Sequence, residues 1–127
     1  MIPESLNHLS MDGKTAVITG STQGLGETIA HLFADRGASQ IVITGRNAER
    51  GARVKAALEA KKVKTVFVQG DLSKMEDVRK VIAACDAAFG RIDALVNAAA
   101  LTDRGSIWDT TEARYDELFD VNVKAPF

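Results

Sequence analysis

The run TGSTQGLG (residues 19–26) follows directly on the apolar stretch Thr15-Ala16-Val17-Ile18. Its glycines, at 20, 24 and 26, give the spacing G-x-x-x-G-x-G where a strand should end and a helix begin. Backbone N–H groups at such a turn, with the positive end of the helix, suit an anion, and missing Cβ atoms let a pyrophosphate come close. The commoner dinucleotide spacing, G-x-G-x-x-G, is not met, because Ile29 stands where its last glycine would fall. A Walker A phosphate loop is excluded too, since no Lys-Ser or Lys-Thr follows Gly26. The other reading is a tight βα turn whose glycines only help the helix pack on the sheet.

Two further places could do chemistry. About twenty residues past such a loop, an NAD-binding fold places a carboxylate for the ribose 2′-OH. Here the chain reads Thr44-Gly45-Arg46-Asn47, so glycine stands where the acid is expected and Arg46 follows. A carboxylate would repel a 2′-phosphate, whereas a guanidinium holds one through paired charge-assisted bonds. The expectation is NADP(H) in preference to NAD(H), the alternative being a solvated arginine at a helix start. Further on, Tyr115, Leu118, Phe119 and Asn122 fall on one helical face at i, i+3, i+4 and i+7. An unpaired amide on an apolar face is costly. Pro126 has no N–H to give to the carbonyl of Asn122, which leaves that carbonyl free at a kink. Alternatively the helix ends near Val123 and Asn122 is an ordinary cap-region residue.

The elements that must position these residues alternate between two periods. Short β-branched runs at residues 15–19, 40–44, 64–68 and 94–96 read as strands. A helix over residues 24–36 places Leu25, Ile29, Leu32 and Phe33 on one face, with Gly37 as its stop. Asn47 caps the next helix, with Val54, Ala57 and Leu58 as its stripe. Ser73 and Glu76 form a capping box ahead of Val78, Val81, Ile82, Cys85 and Phe89, and Gly90 ends that helix. A fourth helix starts near Thr110 or Thr111 and carries Tyr115, Leu118 and Phe119 inward. Strand and helix in alternation give an α/β fold, a doubly wound parallel sheet in the order 3-2-1-4. Residues 1 to about 12 read as a polar lead-in, and residues 13–127 as one dinucleotide-binding domain of Rossmann type.

With those elements in place, the sequence resembles the short-chain dehydrogenase/reductase family. TGSTQGLG is similar to that family's TGxxxGxG loop. GDL (residues 70–72), LVNAAA (95–100) and DVNVKAPF (120–127) follow in the family's order. The resemblance runs from about residue 13 to the end of the chain. It implies that Gly20, Ser21, Thr22, Gln23, Gly24, Leu25 and Gly26 wrap the phosphates and adenine ribose. Arg46 and Asn47 would take the ribose end of the cofactor. Asp71 would bond the adenine amino group with the Leu72 backbone beside it, although an Asx turn before Ser73 is the plainer reading of Asp71. Asn97 would brace the end of strand four, with Ala98 and Ala99 along the adenosine ribose. Asn122 would hold a water of a proton relay through its carbonyl. The family's usual NNAG is altered: Ala98 replaces Asn, and Ala100 replaces the glycine that tolerates positive φ.

The family transfers hydride between nicotinamide and a carbonyl or alcohol carbon, with a serine and a Y-x-x-x-K pair as acid–base machinery. Tyr115 is the only tyrosine and Phe119 stands at +4, so Tyr115 reads as a core residue. Of the family's tetrad only Asn122 is present, its other members lying in a second half of the family's length. These 127 residues alone are therefore expected to be inactive, a truncated gene product or a remnant of a longer enzyme. The alternative is a non-catalytic dinucleotide-binding or interaction fragment. With strand four left as an edge, self-association is expected, and the family implies a homo-oligomer.

Composition narrows the rest. Sixteen basic against seventeen acidic residues give a net charge of −1, and nothing calls for nucleic acid or an anionic membrane. Cys85 is alone, which excludes an internal disulfide or a cysteine metal cluster, and no metal site is expected. His8 and His31 read as solvated surface. The start lacks the basic and apolar regions of a signal peptide, and no apolar run approaches the roughly 18 residues of a membrane span. The expectation is a cytoplasmic protein acting on a small molecule. Arg104 and Gly105 belong either to a substrate-side loop or to plain loop chemistry.

Overall fold

In the computed structural model, which describes residues 4–127, the β-branched runs pair side by side. Strands β1 (Thr15–Thr19), β2 (Gln40–Gly45), β3 (Lys64–Gln69) and β4 (Ala94–Asn97) form one parallel sheet in the order β3-β2-β1-β4. The register sets Val17 against Val42 and Leu95, and Ile43 against Phe67. Helices α1 (Gly24–Asp35), α2 (Ala48–Ala60), α3 (Met75–Phe89) and α4 (Glu112–Phe119) connect or follow the strands. A π-helical turn, Asp120–Lys124, continues α4, and a 3-10 turn spans Glu4–Leu9. The Rossmann-type order expected from the alternation is the one formed.

Residues 15–18 and 41–44 are buried on both faces of the sheet, as a parallel strand between helices must be. On one face Ile18, Ile41 and Ile43 pack with Ala30, Val54 and Leu58 of α1 and α2. On the other, Val17 and Val42 meet Val81 and Cys85 of α3. Each buried isoleucine, valine or leucine among them contributes about 1.5–3 kcal/mol by leaving water. The lead-in is tied to this body: Met11 packs against the first cluster, and its N–H donates to the Arg36 carbonyl at 2.8 Å.

Several local expectations are corrected. Leu25 and Leu32 do not face the core. Leu25 is 71% exposed, while Gly26 and Ala30 are the buried residues of α1. The helix lies against the sheet on its small residues, with Ile29 and Phe33 flanking them. The capping box at Ser73 does not form: Lys74 is the N-cap of α3 and no side chain caps it. The carboxylates take other donors, Asp77 accepting from the Asp71 N–H at 2.8 Å and Asp71 from the Ser73 N–H at 3.0 Å. Ile82, expected inward with Val81, is exposed. Tyr115 is no core residue: it is 53% exposed and stacks on Phe119, ring centroids 4.4 Å apart, on the outer side of α4. Among the described residues no helix is long and apolar enough to cross a membrane.

Candidate functional site

A cavity of about 540 Å³ opens at the C-terminal ends of β1, β2 and β4. Its place is the point where the strand order reverses, the crevice in which open parallel sheets hold ligands. Gly20, Thr22, Gln23, Gly24, Leu25 and Gly26 form one wall, Thr44 to Asn47 and Arg50 a second, Gly70 to Leu72 a third. Ala98 to Leu101 close it, with Glu117 and Val121 of the α4 segment at the rim.

The glycine loop divides its labour. Gly20 has φ +60, and a Cβ there would sit 2.6 Å from the Ala99 Cα. A Cβ on Gly26 would run into the Gly20 carbonyl group, 2.8 Å from its carbon. These two glycines let the chain's own backbone come close, and both also line the cavity. Gly24, with φ +59 and nothing within 4 Å of a built Cβ, is the one that leaves open space. Ser21, expected among the wrapping residues, is turned away from the cavity. It is buried, donates to the Ile18 carbonyl at 2.6 Å and accepts from the Thr44 N–H at 3.0 Å, which pins the loop to β2. Gln23 is the N-cap of α1 but makes no capping bond. The first-turn N–H groups that a helix leaves unpaired thus stand at the wall formed by Gly24, Leu25 and Gly26.

On the second wall, a Cβ at Gly45 would meet the Thr22 side chain, 2.6 Å from its Cγ2. An acid could occupy position 45 only if Thr22 moved. Arg46 and Asn47 line the cavity as expected, and the Asn47 Oδ1 also caps α2 by accepting from the Arg50 N–H at 2.9 Å. The Thr44 hydroxyl oxygen is buried with no partner among the described residues, a donor standing in the cavity wall. That orphan, the open Gly24 and the uncapped helix start fit a phosphorylated, hydroxyl-rich ligand such as a dinucleotide.

Asp71 lines the third wall while its Oδ1 makes the Asx-type bond to Ser73, so both geometries coexist. The Ser73 N–H holds its carboxyl below the usual carboxylate range, with the charges of Lys74 and Arg46 adding to the effect against partial burial. Leu72, Ala98 and Ala99 also line the cavity, but Asn97 is exposed and does not. The brace at the end of β4 is Thr19, whose Oγ1 accepts from the Ala99 N–H at 3.1 Å.

Asn122 stands outside the cavity and acts on its edge. Its Oδ1 accepts from the Leu101 N–H at 2.9 Å and its Nδ2 donates to the Leu101 carbonyl at 2.7 Å. Its own carbonyl has lost the donors that follow. Ala125 donates to Asp120 at 2.8 Å, Pro126 has no N–H, and Phe127 donates to Val123 at 3.2 Å. A π turn stands at this point, in place of a simple kink.

Sequence reasoning missed Thr19, Thr44 and Arg50. Thr19 and Thr44 looked like strand residues with β-branched side chains. Arg50 carried a signal, a cation in the first turn of a helix, where the dipole disfavours it.

A sequence model of the short chain dehydrogenase family matches residues 14–127. An uncharacterized oxidoreductase of Thermotoga maritima is 34% identical over 119 residues, covering 94% of this chain and 46% of that protein. The L-sorbose reductase of Gluconobacter frateurii, solved with NADPH and L-sorbose, superposes with a TM-score of 0.88 at 32% identity, covering 92% of this chain and 44% of its own. A short chain dehydrogenase of Burkholderia cenocepacia in complex with NADP gives 0.86 at 36% identity, with 91% and 47% covered. The chain spans about half the length of the curated relatives it matches.

Proposed function

The chain belongs to the short-chain dehydrogenase family, and from that premise we propose that its glycine-loop cavity binds NADP(H) for an oxidoreductase acting on a carbonyl or alcohol. One observation carries the cofactor choice. Position 45, where a carboxylate would select NAD, is glycine closed off by Thr22, and Arg46 follows it on the cavity wall. Solved relatives holding NADPH or NADP support the same choice. The nicotinamide, when bound, supplies hydride chemistry. The chain's own residues bind and orient it. The N–H groups around Gly24 to Gly26 take the diphosphate, Asp71 takes the adenine amino group, and Ala98 and Ala99 bound the ribose. Asn122 fixes the loop after β4 through Leu101 and offers its free carbonyl to a water of the proton relay.

The acid–base step is not in these residues. Tyr115 is the only tyrosine, lies on the outer side of α4 and has Phe119 at +4. These 127 residues on their own should bind cofactor without turnover, which also accommodates a second reading, a non-catalytic dinucleotide-binding role. The exposed Tyr115–Phe119 pair and Leu95 support association with another copy through the β4–α4 side. Cys85, buried and unpaired, suits a reducing cytoplasmic setting.

Fluorescence titration with NADPH and NADH tests the reading. NADPH should bind more tightly, and Arg46→Ala should weaken NADPH selectively. Equal or tighter binding of NADH would refute the cofactor assignment.

A further inference from the structure

Arg50 sits in the first turn of α2, the positive end of that helix, where a guanidinium is electrostatically disfavoured. Asn47 already caps the turn through the Arg50 main-chain N–H, so the side chain is not needed for capping. The guanidinium lines the glycine-loop cavity, and its Nη1 donates to the Gln23 Oε1. Gln23, the N-cap of α1, makes no capping bond of its own and reaches across to α2.

Tying α1 to α2 does not account for this pair. One turn on, Arg53 bonds both carboxylate oxygens of Glu27, at 2.7 and 2.9 Å, and Arg53 does not line the cavity. That ion pair joins the helices and neutralises its own charge. Gln23 is neutral, so it fixes the Arg50 guanidinium in place and leaves its charge uncompensated. Among the described residues, arginines 53, 91 and 114 form ion pairs and Arg36, Arg46, Arg50, Arg79 and Arg104 do not; of these five, Arg46 and Arg50 are the ones that line the glycine-loop cavity. Arg46 and Arg50 flank the gap at Gly45. Arg46 stands on the β3 side, its carbonyl accepting from Gln69 at 3.1 Å, and Arg50 stands on the α1 side.

We infer that Arg50, positioned by Gln23, is a second guanidinium for the phosphate monoester on the ribose of the bound nucleotide. Arg46 and Arg50 together, and not Arg46 alone, then decide between phosphorylated and unphosphorylated cofactor. The inference rests on the NADP(H) reading above. It makes Gln23 a positioning residue whose neutrality matters: a carboxylate there would hold Arg50 as well or better and cancel its charge.

Isothermal titration with adenosine 2′,5′-bisphosphate and with 5′-AMP, which differ only by the 2′-phosphate, tests this directly. Arg50→Gln should weaken the bisphosphate about tenfold, the worth of a lost charge-assisted bond, and leave 5′-AMP within about twofold. Gln23→Glu should weaken the bisphosphate in the same direction without lowering the thermal midpoint. Arg53→Gln, the helix-tying control, should leave the preference intact. If Arg50→Gln leaves bisphosphate binding unchanged, or weakens both ligands equally, the inference is overturned. The two levels separate cleanly. A wild type that binds neither ligand, or binds both equally, sinks the cofactor reading and this inference together. A preference lost in Arg46→Gln but kept in Arg50→Gln sinks this inference alone.

Discussion

The β1–β2 side and the β4–α4 side of the cavity are built in different ways. The β1–β2 wall rests on a filled core: residues 15–18 and 41–44 are buried, and helices α1, α2 and α3 cover both faces. The β4–α4 wall has little packing beneath it. Burial alternates along β4, Leu95 is 50% exposed, and α4 has no buried residue. Polar bonds hold that wall. Thr19 grips Ala99, Asn122 grips Leu101, and Arg114 reaches the Thr102 carbonyl at 3.2 Å and the Asp103 carboxylate at 3.5 Å. Packing fixes a position within a few tenths of an ångström, whereas an exposed hydrogen bond holds it only as long as its partner stays put. The glycine loop is therefore preorganised, and the loop after β4 is conditional.

Core truncation should show the contrast most strongly. Ile18→Ala removes a fully buried side chain between β1 and its helices and should cost about 2–5 kcal/mol in urea unfolding. Leu95→Ala on β4 should cost at most about 1 kcal/mol. Equal losses would erase the distinction between the walls.

Next in size is Gly26→Ala. The added Cβ meets the Gly20 carbonyl group, so the substitution should cost about 1–3 kcal/mol and abolish NADPH binding measured by fluorescence. A variant that binds normally would show that the loop is not held by its own backbone contacts.

Asn122→Ala should remove two bonds to Leu101 and cost about 1 kcal/mol or less, since the amide is exposed. Its sharper signature is local: amide exchange at Leu101 should quicken while that at Ile43 is unchanged.

Acid should loosen the conditional wall first. Asp93 anchors β4 to β1 by accepting from the Thr15 N–H at 2.8 Å. The Arg91 guanidinium, then that N–H, hold its carboxyl below the usual range. A carboxyl depressed in the folded state contributes stability that is complete above its unfolded pKa and lost as pH falls through the folded value. Protection of the Thr15 amide, measured against the exchange rate of an unstructured amide at the same pH, should therefore fall below about pH 4, and Asp93→Asn should remove that loss. The effect is small because the pair is exposed, and added salt should shrink it further.

What the sequence disclosed follows the same division. Residues 16–18 and 41–43 are apolar without interruption, as a strand buried on both faces tolerates, so strands and order could be read directly. The cap at Asn47, the helix start near Thr110 or Thr111 and the helix stop at Gly90 were equally legible, because each is a local bond or dihedral. Helix faces were not. Periodicity favours the largest apolar residues, yet α1 presses Gly26 and Ala30 against the sheet and leaves Leu25 at the cavity mouth. Nor does spacing reveal that a serine inside the glycine motif faces inward, or that Asp77 spends its carboxylate on Asp71. Those depend on partners distant in space or on competition between nearby donors. Arg50 came into view only when the fold set Gln23 beside it.

The central claim is that the helix start at Gly24 to Gly26 holds the cofactor's diphosphate. The molecule offers a rival hollow of about 670 Å³ on the outer side of α3, lined by Val78, Ile82 and Ile92 among others. Adding NADPH to the 15N-labelled chain and following every amide resonance distinguishes them. The largest shifts should fall at residues 23–27 and at Ala98 and Ala99, with Val78 and Ile82 unmoved. Shifts gathered along α3, with the glycine loop silent, would contradict it.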